Sequence, residues 1–322
     1  MAHELTRKDT MFAVGEAPWH RLGTVLEEPP TIDEAIRVAG LNWTVGMKPL
    51  FTQDGIKAPA LATFREDTGD ILGIVGESYK PLQNAKAFEF FQPFLENKLA
   101  SLETAGSLKG NRLVWVLAKI NKDPSVISGS DVVDKYVLLS NSHDGTLAVR
   151  VGFTPIRVVC NNTLTLAINS KASRLIRVKH TQSVNENLDK IQDIINVADA
   201  EFEATAEQFR LLTKKDINQD DIKKFVKLVF ATKDQMDRIM KGEDIDAGRR
   251  VRDDITRLFE TGRGSDLPGA KGTLWGLYNA TTEYIQYERG TDAATRLNET
   301  WFGTGAELNR KALQTAVVLA AA

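Results

Sequence analysis

The period of the hydrophobic pattern changes once along this chain, near residue 180, and this change restricts the folds that the sequence can adopt. Before it, short apolar runs such as Leu113–Leu117 are separated by turn residues, which is the pattern of β-strands. From Ser183 onward, apolar residues recur at i, i+3 and i+4, which is the pattern of helices. We therefore expect an α+β fold, with an antiparallel sheet and packed helices in the N-terminal half, followed by an all-α C-terminal region.

Turn signals set the order of strands in the first half. Residues 66–70 read Glu-Asp-Thr-Gly-Asp and predict a hairpin between strands at 60–65 and 71–75. The run Leu113–Leu117 is apolar on both faces, so we expect a central strand that is covered on both sides. Residues 174–179 alternate and predict a last strand.

Capping signals predict the helices of the first half. Thr31 is expected to cap a short helix that ends at Gly40, and Asn84 is expected to cap a helix over 84–99. The segment 157–169 fits a strand end or a helix, and its apolar spacing slightly favours the helix. Residues 140–145 read Ser-Asn-Ser-His-Asp-Gly, which is typical of a hairpin turn.

The second half is predicted to be helical throughout. We expect a domain boundary near residue 180, giving an α+β domain over 1–180 and a helical domain over 181–322. The predicted helices lie at about 183–212, 218–231, 233–241, 247–261, 273–287, 293–301 and 306–320.

Composition predicts a reducing, cytoplasmic setting. The single cysteine, Cys160, excludes an internal disulfide and a thiolate metal cluster within one chain. The apolar runs are too short to span a bilayer, and the first nine residues lack the apolar segment of a secretory signal. We expect a protein without a membrane partner.

The net charge of −2 conceals an asymmetry along the chain. Residues 101–180 contain 11 lysines and arginines against 5 aspartates and glutamates, whereas the segments before and after carry net negative charge. A local positive field attracts polyanions even when the whole protein is mildly acidic. The alternative is that the imbalance is ordinary solvated surface.

Catalytic and cofactor signatures are weak. Neither GxxxxGK[ST] nor GxGxxG occurs, and the four histidines show no metal-ligand spacing, so we expect no cofactor and no metal. Cys160 could act as a nucleophile with His143 or His180 as its base. A cysteine that follows two valines is more typical of a small buried hydrophobe.

The basic middle segment supplies the candidate nucleic-acid contacts. A basic sheet face with nearby aromatic residues is typical of proteins that bind single strands without sequence preference. Trp115, Tyr136 and Phe153 are candidate stacking platforms, although Trp115 fits the core better. Asn161 and Asn162 are candidates for phosphate or sugar contacts, or for a helix cap. The candidate contact residues are Lys109, Arg112, Arg150, Arg157, Lys171, Arg174, Arg177, Lys179, Asn161 and Asn162.

Six separated segments carry a resemblance to a known family. They are Tyr79–Asn84, Glu103–Leu108, Leu139–Gly145, Arg157–Leu164, Gly276–Tyr284 and Trp301–Ala306. In these segments the chain resembles the phage/plasmid-like protein family, a domain-of-unknown-function group of phages, prophages, plasmids and bacterial genomes. The resemblance covers nearly the whole chain and implies a mobile-element context, but no settled activity that could be carried over.

The expected elements are also similar, at the level of fold alone, to phage single-strand annealing proteins such as RecT-type recombinases. These proteins combine a small antiparallel sheet, packed helices and a basic groove, and they assemble into rings or filaments. An analogy of fold does not establish function.

Three functional hypotheses follow. The first is a homo-oligomeric protein that binds single-stranded DNA in phage or plasmid recombination or replication, and it is not an enzyme. The second is a cysteine-dependent enzyme that uses Cys160 and His143. The third is a structural or host-interaction protein without a nucleic-acid role.

Overall fold

The computed structural model describes residues 10–15, 23–157, 162–163, 176–181, 183–185, 195–290, 296, 299–300 and 303–321. The chain divides into two compact units. The first comprises Met1–Lys122, Tyr136–Phe153 and Arg174–Ala198, and the second comprises Asp123–Lys135, Thr154–Ser173 and Asp199–Ala322. The predicted α+β class is confirmed, since sheets of antiparallel strands fill the N-terminal half and helices pack in the C-terminal half. The boundary between separately folding domains at residue 180 stays a prediction.

The described strands are short to medium in length. They are β1 (Met11–Val14), β2 (Thr24–Leu26), β3 (Val45–Phe51), β4 (Lys57–Arg65), β5 (Ile71–Val75), β6 (Ala100–Leu108), β7 (Leu113–Ile120), β8 (Ser125–Ser128), β9 (Asp131–Ser142), β10 (Val149–Arg157), β11 (Asn162–Thr163) and β12 (Ile176–Val178). The main sheet of the first unit runs in the order β2–β1–β6–β7–β9–β10, and β12 pairs with β10. β1 and β2 are parallel, whereas β6 pairs antiparallel with β1 and β7, β7 with β9, and β10 with β12.

The middle of this sheet follows from the sequence of β7. The strand lies between β6 and β9, with Trp115 opposite Gly106 on one side and Ser140 on the other. Its residues are buried apart from the half-buried Lys119, which confirms a central strand covered on both faces. Trp115 is 1% exposed and belongs to the core.

A second, three-stranded sheet in the order β3–β4–β5 belongs to the same unit. The hairpin predicted around residues 66–70 is confirmed, because β4 and β5 pair antiparallel across it. The predicted last strand at 174–179 is confirmed for its described part, which is β12.

Three short helices, α1 (Ile32–Val38), α2 (Asn84–Glu89) and α3 (Gln92–Glu96), complete the first unit. Thr31 caps α1 as predicted, since its hydroxyl accepts a hydrogen bond from the Glu34 amide. The prediction that Asn84 caps a helix over 84–99 is wrong. Gln83 occupies the cap position without a capping bond, Asn84 is the buried first residue of α2, and two short helices replace one.

The second unit is mainly helical. Its helices are α4 (Ile195–Leu212, of which residues 195–198 belong to the first unit), α5 (Gln219–Phe230), α6 (Lys233–Met240), α7 (Arg249–Thr261), α8 (Leu274–Glu283) and α9 (Thr304–Ala321), with a π-helix at Tyr284–Glu288. All ten residues of α8 are buried, so it forms the centre of this unit's core. Within the described residues, no helix is long and apolar enough to cross a membrane.

The helix favoured for 157–169 is wrong where it can be tested. Arg157 ends β10, and Asn162 and Thr163 form β11, which pairs antiparallel with β10. Pairing between strands thus overrides the local apolar spacing. Most of the predicted helix at 293–301 and residues 186–194 of the helix predicted from Ser183 lie outside the described residues.

Candidate functional site

One end of the main sheet gathers residues from distant parts of the chain. The β6–β7 turn lies there, since Leu108 pairs with Leu113. Leu113 also pairs with Ser142, which brings the end of β9 to the same place. The main-chain amide of His143 donates to the carbonyl of Arg112 at 2.7 Å. The loop from β9 to β10 therefore lies against the β6–β7 turn.

The last strand and the segment before α2 reach this end as well. Val149 of β10 pairs with Val178 of β12, so Lys179 and His180 follow directly at the edge of the loop. The Lys80 amide donates to the carbonyl of His180 at 3.0 Å. Two segments that are 100 residues apart in sequence thus meet through their main chains.

Five cationic residues surround this loop, and we call them the basic end: Lys80, Lys109, Arg112, Arg150 and Lys179. Arg150 is half-buried, and the other four are exposed. Within the described part of the chain, no ion pair joins Lys80, Arg112 or Lys179 to a carboxylate. These three charges are exposed and have no neutralising partner in the described part of the chain, so they raise the local positive potential.

The backbone register adds a further positive residue beside Arg150. Arg177 of β12 lies directly opposite Arg150 of β10. The carboxylate of the loop is that of Asp144, which is half-buried and accepts hydrogen bonds from the amide and hydroxyl of Thr146 at 2.9 and 2.6 Å.

A fully buried histidine supports the loop from beneath. His143 is 0% exposed, and its Nε2 lies 3.0 Å from Oδ1 of Asn84. The Asn84 amide nitrogen donates to the main-chain carbonyls of Leu41 and Trp43 at 3.1 and 3.3 Å, which fixes the orientation of the amide. Because Oδ1 can only accept, Nε2 of His143 must carry the proton of this hydrogen bond.

The environment keeps His143 neutral. The pKa of its imidazole is lowered from 6.5 to about 3, mainly by burial and in addition by the neighbouring His180, while Asp144 acts in the opposite direction. The ring edge packs against Trp43, with centroids 5.3 Å apart. Since Nε2 is protonated, Nδ1 is an unprotonated acceptor, and no hydrogen-bond partner for it occurs among the described residues.

Tyr79 joins the two histidine-bearing segments. Its hydroxyl donates to the carbonyl of Ser142 at 2.8 Å, and its ring stacks on His180 with centroids 4.6 Å apart. Burial raises the pKa of Tyr79, and the nearby Asp144 carboxylate adds to this rise. Burial also lowers the pKa of His180, against the effect of the carbonyls of Lys80 and Leu147.

The structure brings together four of the predicted contact residues: Lys109, Arg112, Arg150 and Lys179. The backbone of Arg177 lies with them. Arg157 and Asn162 do not, since they pair with each other at the far end of β10, in the second unit. Asn161, Lys171 and Arg174 lie outside the described residues, as does Cys160.

Two further expectations need correction. Trp115 and Tyr136 are 1% and 7% exposed, so they cannot serve as stacking platforms. The turn predicted for residues 140–145 begins later than expected, because β9 extends through Ser142. Its polar residues Ser140, Asn141 and Ser142 are buried, and the loop starts at His143.

Sequence reasoning missed Lys80, Tyr79 and Asn84 as parts of this site. Lys80 belongs to the acidic first third of the chain and was therefore outside the basic segment. The sequence signal for this place is the segment Tyr79–Asn84, which carries part of the family resemblance but no recognisable chemical motif. No group of histidine, cysteine and carboxylate side chains among the described residues could hold a metal ion.

Comparison with known families assigns residues 71–313 to a domain of unknown function, DUF932. The chain belongs to this family. The matched range includes every residue of the basic end and both histidines that lie beside it. No curated protein and no solved structure matches the DUF932 chain.

Proposed function

We propose that this DUF932 protein binds single-stranded nucleic acid, DNA in the first place, through the basic end. The observation that carries the proposal is the meeting of exposed cations from three separate segments around one loop. Three of them have no carboxylate partner among the described residues, so their charges remain available to phosphates. Residues that meet only in the fold make a charged surface more specific than a charged stretch of sequence does.

The chemistry of the basic end supports contacts to the backbone of the nucleic acid. Lysine and arginine side chains neutralise phosphates and release counterions, whatever the base sequence is. The aromatic residues of this region, Tyr79 and Trp115, are buried and cannot stack on bases. We therefore propose binding without sequence preference, in which the affinity comes from charge.

The buried network beneath the loop fits a positioning role in this proposal. His143, Asn84 and Tyr79 hold the loop through hydrogen bonds to main-chain and side-chain atoms that are largely shielded from water. Such bonds hold the cations of the basic end at fixed positions before binding. Less conformational entropy is therefore lost when a nucleic acid binds. His143 itself is fully buried and neutral, so it does not contact phosphate.

The biological setting is part of the proposal and rests on the resemblance to the phage/plasmid-like family. We propose a role in recombination or replication of a mobile element, in the cytoplasm of a bacterial host, with the protein acting as a homo-oligomer. The protein is not proposed to be an enzyme.

A salt titration tests the proposed binding. A fluorescein-labelled 30-nucleotide single strand is titrated with the protein at 50 and 200 mM salt, and anisotropy is measured. Single-strand binding follows a log-log slope of about −0.7 per phosphate neutralised. Four exposed cations therefore predict a slope near −3 and a loss of affinity of roughly 50-fold between the two salt concentrations.

The same titration with a duplex of equal length is the comparison. Tighter binding of the single strand would support the proposal as stated. Absence of binding at 50 mM salt, where charge interactions are strongest, would rule it out. Equal or tighter binding of the duplex would show that the protein binds nucleic acid in general, without a preference for single strands.

A further inference from the structure

An open hollow on the first unit provides a second candidate surface. It encloses about 680 Å³ between α1, the helical segment of α2 and α3, and the start of β6. Ile32, Ile36, Leu95 and Leu102 contribute aliphatic side chains to its lining. This volume is within the range of about 300–1,000 Å³ that is common for binding sites.

Carboxylates line the same hollow. Asp33 and Glu96 are exposed, and within the described residues neither forms an ion pair. Glu96 accepts a hydrogen bond from the neutral Gln92 side chain at 2.7 Å. A third carboxylate, Glu89, pairs with Lys86 and is partly neutralised.

The approach to the hollow is acidic as well. Glu27 and Glu28 are exposed and directly precede Pro29, which lines the hollow. The cations near these carboxylates in sequence are Arg37, which is exposed in the last turn of α1, Lys86, and the exposed Lys98, which lies two residues after Glu96. The carboxylates outnumber these cations, so the hollow repels a phosphate backbone and attracts a cation.

We propose that this hollow binds an extended peptide segment of a partner protein, in which aliphatic side chains alternate with lysine or arginine. The aliphatic lining matches the aliphatic side chains, and the acidic rim matches the cations. The chemistry is complementary in charge and in polarity, and it differs from that of the basic end. The proposal therefore stands independently of nucleic-acid binding.

Peptide titrations test this proposal with the full chain. The probe is a fluorescein-labelled hexapeptide, Leu-Lys-Ile-Arg-Leu-Lys, and binding is measured by anisotropy at 50 mM salt. Two comparison peptides separate the contributions: Leu-Glu-Ile-Glu-Leu-Glu reverses the charge, and Gly-Lys-Gly-Arg-Gly-Lys removes the aliphatic side chains. We expect both to bind at least tenfold more weakly than the probe.

Charge variants locate the binding. The double variant Asp33→Asn with Glu96→Gln should weaken binding of the probe about fivefold, since exposed charge pairs contribute modestly. The matched control, Asp54→Asn with Glu307→Gln, changes two exposed carboxylates outside the hollow and should leave the affinity unchanged. All four substitutions are at exposed positions, so the fold is expected to persist.

Three results would overturn the proposal. They are no binding of the probe, equal binding of the glycine peptide, and equal weakening by the hollow variant and its control. Self-association that the hollow variant abolishes, without peptide binding, would also overturn it and would assign the surface to a second copy of the chain.

Discussion

The neutral, buried state of His143 predicts that the protein loses stability in mild acid. An unfolded chain exposes this histidine, which then titrates with its ordinary pKa of 6.5, whereas in the folded state the pKa is about 3. Between these values the unfolded state binds more protons than the folded state, so acid favours unfolding. The stability that His143 contributes is present above pH 6.5 and is lost as the pH falls toward 3.

The size of the effect follows from the two pKa values. For one group with pKa values of 6.5 and about 3, the linkage relation gives a loss of about 2 kcal/mol between pH 7 and pH 5. The pKa of His180 is lowered as well, so its contribution has the same sign. Most carboxylates titrate below this window, which leaves histidines as the main source of the change.

Urea unfolding at pH 7 and at pH 5, followed by tryptophan fluorescence, measures this loss. The variant His143→Gln keeps an N–H group that can donate to Asn84 but removes the titration. We expect the wild-type protein to lose about 2 kcal/mol more than the variant between the two pH values. The substitution itself changes the free energy of unfolding at both pH values. This change cancels because only the difference between pH 7 and pH 5 is compared.

An equal pH dependence of the two proteins would refute this reasoning. It would mean that His143 is hydrated or already protonated in the folded state, and that the hydrogen bond to Asn84 does not set its tautomer. If the variant His180→Gln also loses less stability than the wild-type protein between pH 7 and pH 5, both histidines contribute to the pH dependence.

Two substitutions near the loop carry further predictions. Asn84→Ala leaves two main-chain carbonyls and the imidazole N–H without partners, so it should lower the free energy of unfolding by about 3 kcal/mol, whereas the exposed Gln92→Ala should change it by less than about 0.5 kcal/mol. Gly73→Ala places a Cβ in steric clash with the Cα of Asp144 and should cost about 3 kcal/mol, whereas Gly76→Ala, whose Cβ meets no atom within 4 Å, should be nearly neutral. Urea unfolding at pH 7 measures all four, and equal effects of a variant and its control would contradict the corresponding contact.

The sequence predicted those parts of the fold that local signals specify. The hairpin around residues 66–70 has turn residues between two apolar runs, and Thr31 has the side chain that a helix start requires. The helices of the second half follow a regular period, so where both ends are described their bounds agree with the prediction to within a few residues. An example is α5, predicted at 218–231 and observed at Gln219–Phe230.

Tertiary contacts decided the parts that the sequence did not predict. Asn84 has the chemistry of a helix cap, but its amide bonds to the chain around residues 41–43 and to His143 instead. The polar run Ser140–His143 has the composition of a turn, yet strand pairing with β7 and the packing of Trp43 bury it. Asn162 pairs with β10, so local spacing favoured the wrong element.

The basic end was predictable only as an excess of charge. The sequence located positive charge in residues 101–180, but it could not show which members share a surface. The length of β10 places Arg150 at the basic end and Arg157 at its other end. Lys80 joins the group through a main-chain bond to His180, a contact between segments 100 residues apart that no local pattern reveals.

The central claim is that the exposed cations of the basic end bind nucleic acid, and one matched comparison tests it. The triple variant Lys80→Gln, Arg112→Gln and Lys179→Gln removes three charges there. A control variant removes three exposed lysines of the second unit that lie elsewhere, with the same change in net charge, namely Lys214→Gln, Lys233→Gln and Lys241→Gln.

Single-strand affinity is measured for both variants over a salt series. The account predicts that the log-log salt slope of the triple variant is smaller in magnitude than that of the wild-type protein by about 2. The control variant should have the slope of the wild-type protein. Equal slopes for the two variants would contradict the account, because binding would then depend on net charge and not on the basic end.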